Sequence, residues 1–112
     1  MGSKLGVPVS AALVLDALGD QSRRAILEHL VRGPKPVGEL ANVLPISRPA
    51  VSQHLKVLKD AQLVASESIG TRHLYRVNRA GLDALRDYLD RFWRTALENF
   101  AAIAEAEAAK GR

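Results

Sequence analysis

Residues 37–61 read VGELANVLPISRPAVSQHLKVLKDA and contain two helical patterns divided by a proline. The pattern predicts a short helix over residues 37–44, which Pro45 ends because proline disfavours a helical conformation in the residue before it. Ser47 then caps a second helix that reaches about Ala61. The apolar residues of this second helix recur at steps of four and three and form one stripe: Val51, Leu55 and Leu58. Two short helices separated by a tight break predict a helix-turn-helix.

Two short strands are predicted directly after this helix pair. Residues 64–69 and 73–77 are the strand candidates, and they flank Gly70-Thr71-Arg72. Glycine supplies the positive φ that a tight hairpin needs. A hairpin that follows a helix-turn-helix is a wing, so the sequence predicts a mainly α fold with a small β-hairpin, a winged helix-turn-helix.

Two further helices are predicted before residue 37. The first covers about residues 9–18 and ends at Gly19, and Asp20 or Ser22 can cap the second, which runs to about Arg32. Helical spacing gives each of them an apolar face, and the face of the second helix is predicted to be buried. The first face consists of Leu13, Val14, Ala17 and Leu18, and the second consists of Ile26, Leu27, Leu30 and Val31.

One long helix is predicted from residue 79 to about residue 109. Its apolar residues follow each other at steps of three and four, close to a coiled-coil seam: Leu82, Leu85, Leu89, Phe92, Ala96, Phe100 and Ile103. A chain of 112 residues cannot easily cover so much apolar surface, which indicates a homodimer formed through the terminal helices. The alternative is a helix packed onto its own core. We expect the dimer interface to contain Leu13, Leu85, Leu89, Phe92, Trp93, Ala96 and Phe100.

Charge separates the chain into the same parts. Residues 1–78 contain 10 Lys or Arg against 6 Asp or Glu, whereas residues 79–112 contain 6 of each. The excess positive charge therefore lies before the long helix, as in a nucleic-acid-binding face beside a neutral assembly segment, although a solvated basic surface gives the same count. The predicted division is an N-terminal tail (1–8), a winged helix-turn-helix core (9–78) and a dimerisation helix (79–109).

Composition excludes several classes of protein. Hydrophobic residues make up 47% and charged residues 25%, the balance of a globular protein. The absence of cysteine excludes disulfides, thiolate metal sites and thiol catalysis. No apolar run approaches the roughly 20 residues that cross a bilayer, and the start has no signal-peptide pattern. We therefore expect a cytoplasmic protein with no membrane partner.

Several of these segments together resemble the ArsR/SmtB family of winged helix-turn-helix repressors. The runs that carry the resemblance are LGDQSRRAIL (18–27), GELA (38–41), ISRPAVSQHLKVL (46–58), AQLV (61–64), GTR (70–72) and YRV (75–77). The resemblance covers roughly residues 9–100 in order. It implies a dimer that binds an operator palindrome in double-stranded DNA and blocks transcription. It also implies autorepression, which is common in the family.

The second helix of the pair offers a DNA-reading face opposite its apolar stripe. Arg48 can bind guanine bidentately and Gln53 can pair with adenine, while Ser52 can donate to a base or a phosphate. Lys56 and Lys59 suit phosphates. The resemblance implies the same leading positions, where Pro49 replaces the small polar residue often found and can only touch a thymine methyl. The predicted DNA-binding set is Ser47, Arg48, Pro49, Ser52, Gln53, Lys56, Thr71 and Arg72, with a solvated polar face as the alternative for any single residue.

Many members of the family that this sequence resembles sense metals, but the ligands that such sensing needs are missing here. A thiolate site on the third helix would need cysteines near residues 41–43, and the other family site would need histidines on the last helix, where none occurs. The three histidines are His29, His54 and His73, on different elements. His54 lies beside the apolar stripe and is expected to be a satisfied interior or interfacial histidine and not a base reader. We therefore predict neither a metal nor a cofactor.

Three kinds of signal stay open. A small apolar ligand could bind at the dimer interface near Trp93 and Tyr88, a second protein could sequester the repressor, or abundance alone could set operator occupancy. No phosphate-binding glycine loop, nucleophile elbow or metal motif occurs, so an enzyme is not expected. The competing functions are a winged-helix module for protein–protein assembly and an architectural DNA binder without sequence preference.

Overall fold

The computed structural model describes residues 9–111, so the predicted tail at residues 1–8 lies outside the described residues. Five helices and two strands follow each other along this part of the chain. They are α1 (Ala11–Leu18), α2 (Gln21–Val31), α3 (Val37–Val43), α4 (Arg48–Asp60), β1 (Val64–Ile69), β2 (Arg72–Val77) and α5 (Arg79–Lys110). The order confirms the predicted winged helix-turn-helix, with boundaries within two residues of those predicted.

Polar side chains start four of the helices where the sequence changes from loop to apolar periodicity. Ser10, Asp20, Ser47 and Asn78 each accept a hydrogen bond from a backbone amide of the first turn that follows. These amides have no partner within their own helix, and a side-chain cap is worth about 1 kcal/mol. Of the two caps proposed for α2, the structure uses Asp20.

The core lies between the first four helices and the base of the hairpin. Among residues 9–111 it contains twelve buried apolar residues: Val14, Ala17, Ile26, Leu27, Leu30, Leu40, Val51, Leu55, Leu58, Ala61, Leu63 and Val64. The predicted stripe of α4 is fully part of it. Val31 was predicted to join this core and is instead 66% exposed. It is the last residue of α2, and the chain turns away there through Arg32 and Gly33.

The hairpin is antiparallel, and its register pairs Val64 with Val77 and Ile69 with Arg72. A two-residue loop therefore joins the strands, with Gly70 at φ 64° in its first position. The sequence did not predict a third pairing, in which Lys35 exchanges two backbone hydrogen bonds of 2.9 Å with Tyr75. This bridge fastens the segment between α2 and α3 to the base of the wing.

Helix α5 extends far beyond the rest of the fold. Its 32 residues make a rod of about 48 Å at 1.5 Å per residue. The radius of gyration is 19.4 Å, whereas a compact domain of this length would have about 13 Å. Within residues 9–111, none of the helices has the length and apolarity that a membrane span needs.

Candidate nucleic-acid interface

Helix α4 is held by one face and exposes the other. Val51, Leu55 and Leu58 are at most 1% exposed and lock the helix onto the core. The opposite face is solvent-exposed, and one shallow depression on it is lined by Pro49, Ser52, Gln53 and Lys56. Four of the residues predicted to read DNA therefore come together, and Arg48 is exposed one residue before them.

Ser47 has a structural task at the start of this helix. Its Oγ accepts a hydrogen bond of 3.2 Å from the backbone amide of Ala50. The hydroxyl hydrogen is still free to be donated to a phosphate oxygen. The helix N-terminus adds a partial positive charge at the same place, which favours an anion.

The two lysines of α4 differ in what they contact. Lys56 Nζ lies 3.1 Å from Asp60 Oδ2 in an exposed pair one helical turn apart. Such pairs are worth only about 0.3–0.5 kcal/mol, so a phosphate can readily take the place of the carboxylate. Lys59 instead donates to Ser66 Oγ at 3.1 Å, which ties the end of α4 to β1 and turns this lysine toward the wing.

The wing carries exposed polar side chains at its tip. Thr71 and Arg72 are both exposed, and a guanidinium nitrogen of Arg72 lies 4.0 Å from a carboxylate oxygen of Glu39 on α3. Lower on the hairpin, Arg76 Nε donates to Glu67 Oε1 at 2.9 Å. Sequence reasoning missed Glu39, because its contact joins elements that are more than 30 residues apart and leaves no local pattern.

His54 lies between the reading helix and the start of α2. Its ring is half-buried, and Nδ1 is 3.9 Å from Asp20 Oδ2. The same carboxylate accepts a 3.0 Å hydrogen bond from the amide of Arg23. That bond is the main cause holding the pKa of Asp20 below its ordinary value, and His54 acts in the same direction, against partial desolvation. His54 thus faces Asp20 at the start of α2 and not the depression.

The residues predicted at the dimer interface fall into two groups. Leu85 is half-buried because it packs against the core of its own chain, and Ala96 is half-buried as well. The others leave 40–58% of their surface exposed: Leu13, Leu89, Phe92, Trp93 and Phe100. The ring of Phe92 lies 6.5 Å from that of Tyr88 and 6.1 Å from that of Trp93, measured between centroids. This face of α5 is an apolar surface with aromatic side chains at its centre.

The donor set does not fit a metal ion. Cysteine is absent, and the chain has three histidines. Within residues 9–111, no cluster of three or more His, Asp or Glu side chains is placed to hold one.

Comparison with known proteins gives a consistent family assignment. The profile of bacterial regulatory proteins of the arsR family matches residues 20–66, from the cap of α2 into β1. The HTH-type transcriptional regulator Rv2034 of Mycobacterium tuberculosis is 57% identical over 91 residues, which cover 81% of this chain and 85% of that protein. The arsenical resistance operon repressor of Staphylococcus xylosus is 35% identical over 77 residues, or 69% of this chain and 74% of the repressor.

Solved structures agree with this. An ArsR-like transcriptional regulator from Rhodococcus sp. RHA1 superposes with a TM-score of 0.78 at 35% identity, covering 85% of this chain and 90% of that one. The homodimeric winged helix-turn-helix DNA-binding domain of Mb0332 from Mycobacterium bovis, described as a possible ArsR-family regulator, superposes with a TM-score of 0.59 at 31% identity, covering 79% and 82%.

Proposed function

The chain belongs to the arsR family of bacterial regulatory proteins, and from this premise we propose that it is a homodimeric repressor that reads a pseudo-palindromic operator with helix α4. Family membership makes it a DNA-binding transcriptional regulator and not a member of an enzyme family. The observation that carries the finer proposal is the exposed depression of α4, because its four lining residues lie opposite the fully buried stripe of the same helix.

In this proposal the first two turns of α4 enter the major groove. Arg48 binds guanine O6 and N7, and Gln53 binds adenine N6 and N7. Ser52 donates to a base or phosphate, and Pro49 touches a thymine methyl. Ser47 and Lys56 hold phosphates, which fixes the position of the helix without reading sequence. Thr71 and Arg72 place the wing against the adjacent backbone or minor groove.

The dimer contributes the symmetry of the target. We propose that the terminal helices pair through their exposed apolar faces, with Leu13 from α1 and Leu89, Phe92, Trp93, Ala96 and Phe100 from α5, while Leu85 divides its surface between the interface and its own core. A two-fold axis then presents two copies of α4 to two half-sites about one helical turn apart. Residues 9–78 form the reading unit and α5 the dimerisation unit. Bacterial chromosomes lie in the cytoplasm, so we place the protein there.

The experiment that tests the proposal is selection of bound fragments from a random DNA pool with the purified protein at near-physiological salt. Recovery of one pseudo-palindrome with half-sites about one turn apart supports a sequence-specific dimer. Salt-sensitive retention without a motif would replace it with architectural binding, since phosphate contacts alone give unspecific affinity. No retention at all would favour a protein-interaction module.

The signal that relieves repression has three candidates, as the sequence left them: a small apolar ligand near Tyr88 and Trp93, a sequestering protein, or the abundance of the repressor itself. An open groove on α5 is lined by Tyr88, Phe92 and Thr95, among others, and Trp93 is not part of its lining. The selected operator is the probe for separating them. A ligand at the dimer interface has to release the operator in a purified system, whereas sequestration needs a second protein.

A further inference from the structure

The first turn of helix α5 is bonded to the DNA-reading part of the molecule by two backbone hydrogen bonds. Gly81, in the first turn of α5, is the one buried residue of that helix. Its amide donates a 2.7 Å hydrogen bond to the carbonyl of Gln62, in the turn between α4 and β1. Beside it, the amide of Asn78 donates to the carbonyl of Leu63 at 2.9 Å. The start of the dimerisation helix is thus bonded to the turn that follows the reading helix.

The turn that receives α5 is a well-defined helix ending. Gln62 has φ 61°, the left-handed conformation usually taken by glycine after a helix. Its amide bonds to the carbonyl of Lys59 and the amide of Leu63 bonds to the carbonyl of Leu58, both at 2.9 Å. These two bonds define a Schellman motif, which closes α4. The motif leaves the carbonyl of Gln62 pointing at α5, where it satisfies an amide that has no partner inside its own helix.

Only glycine fits at the other side of this contact. A Cβ on residue 81 would lie 2.6 Å from the carbonyl oxygen of Gln62 and 2.9 Å from both its carbonyl carbon and Leu63 Cδ2. Two of these three atoms are backbone, and Leu63 is fully buried. The obstacle therefore cannot swing aside as a flexible side chain would, and α5 itself would have to move.

We propose that Gly81 is a positioning residue for operator binding: it fixes the angle between α5 and α4, and hence the separation of the two reading helices in the dimer. This rests on the proposed function, in which α5 dimerises and α4 reads DNA. The contact at Gln62, the packing of Leu82 and Leu85 on the core, and the packing of α1 against α5 orient the helix. Beyond them, α5 projects from its own chain.

A small shift of α5 at Gly81 is amplified along the length of the helix. Restoring an ordinary contact of 3.4 Å at residue 81 needs a movement of about 0.8 Å. Over the four residues from Gly81 to Leu85, about 6 Å of helix, this is a tilt of roughly 8°. At Phe100, about 22 Å beyond Leu85, this tilt displaces the helix by about 3 Å, which is comparable with the rise of about 3.4 Å per base pair. Gly81→Ala would therefore change the half-site spacing that the dimer fits.

The test compares Gly81→Ala with Gly111→Ala on a series of DNA duplexes. Gly111 is in the C-terminal cap of the same helix, where a Cβ would meet ordinary contacts of 3.6 and 3.7 Å. The duplexes are the selected operator, its versions with one base pair removed or added between half-sites, and a single half-site. We expect Gly81→Ala, still dimeric by sedimentation, to lose at least tenfold in affinity for the native spacing relative to the single half-site, and to prefer a changed spacing. Gly111→Ala should behave as the parent.

A dimeric Gly81→Ala variant with the parental spacing preference and affinity ratio would overturn the proposal. If that variant does not fold, hydrogen exchange on the unmodified protein takes its place. The Gly81 amide should exchange as slowly as the core amides of α4. Exchange as fast as that of the first-turn amide of Arg79 would refute the fixed contact between Gly81 and Gln62. Because exchange needs no DNA, it also separates failure of this inference from failure of the proposed function.

Discussion

Replacement of Phe92 by glutamate should dissociate the homodimer. Phe92 is 55% exposed in the single chain and lies at the centre of the aromatic cluster on α5. An aromatic side chain can bury roughly 200 Å², so about 110 Å² of Phe92 is available for the partner. At about 25 cal/mol per Å² this is close to 2.7 kcal/mol, and symmetry doubles it to about 5.5 kcal/mol. Since each 1.4 kcal/mol is tenfold, the dimer dissociation constant should rise about 10⁴-fold.

Sedimentation velocity over a concentration series measures this directly. The circular dichroism of Phe92→Glu should keep its helical signal, because the side chain contacts no residue of the buried core. Ala101→Glu is the matched control, with the same charge added to an exposed position on the polar side of the same helix. It should sediment as the parent does. Operator affinity should fall with Phe92→Glu and be retained with Ala101→Glu.

The reasoning is refuted if Phe92→Glu sediments as a dimer at the concentrations at which the parent does. The exposed aromatic face of α5 would then serve another contact, and the interface would have to be sought elsewhere. If Phe92→Glu is a monomer that still binds the palindrome with parental affinity, the assignment of the interface stands. The proposed link between dimerisation and operator recognition would then be wrong.

Gln53→Ala should weaken operator binding by about 1–3 kcal/mol per half-site, measured by fluorescence anisotropy. Gln21→Ala, the same change at an exposed position of α2, should leave operator binding unchanged. Equal losses of affinity in the two variants would show that Gln53 is not on the reading face. Glu39→Gln removes a carboxylate beside the wing and should strengthen binding to DNA of any sequence a few-fold at low salt. An unchanged affinity would contradict the placement of the wing and Glu39 close to DNA. The amide of Arg23 lowers the pKa of Asp20, so this carboxylate stabilises the fold above its unfolded pKa, and the contribution is lost as the pH falls through the lower folded value. Chemical denaturation should therefore show a steeper loss of stability below about pH 4 for the parent than for Asp20→Asn, which keeps a capping side chain; parallel curves would contradict this.

Much of the fold could be predicted from the sequence because it depends on local residue spacing. The stripe of Val51, Leu55 and Leu58 follows from helical spacing, and the exposed face opposite it follows from the same geometry. Ser47 and Asp20 cap helices where the sequence placed them. These features depend on neighbours within one or two turns, which is the range over which residue spacing carries information.

Other features depend on contacts between distant segments. The bridge between Lys35 and Tyr75 had one local sign, since Lys35 precedes a proline and is biased toward an extended backbone, but its partner was not indicated. The sequence also contains a local indication at Gly81, because an isolated glycine inside a helical pattern often allows close packing. That the close contact is with the carbonyl of Gln62 requires the tertiary structure. Val31 continued the spacing of a buried face beyond the point where the core ends.

The most direct test of the central account is a competition measurement at near-physiological salt. The parent protein is bound to the selected operator and displaced by the unlabelled operator, by one half-site with the other scrambled, and by a duplex of the same composition with both half-sites scrambled. The account predicts that the intact operator competes at least about 10³-fold better than the fully scrambled duplex, with the single half-site between them. Equal competition by all three duplexes would contradict sequence-specific reading by a dimer.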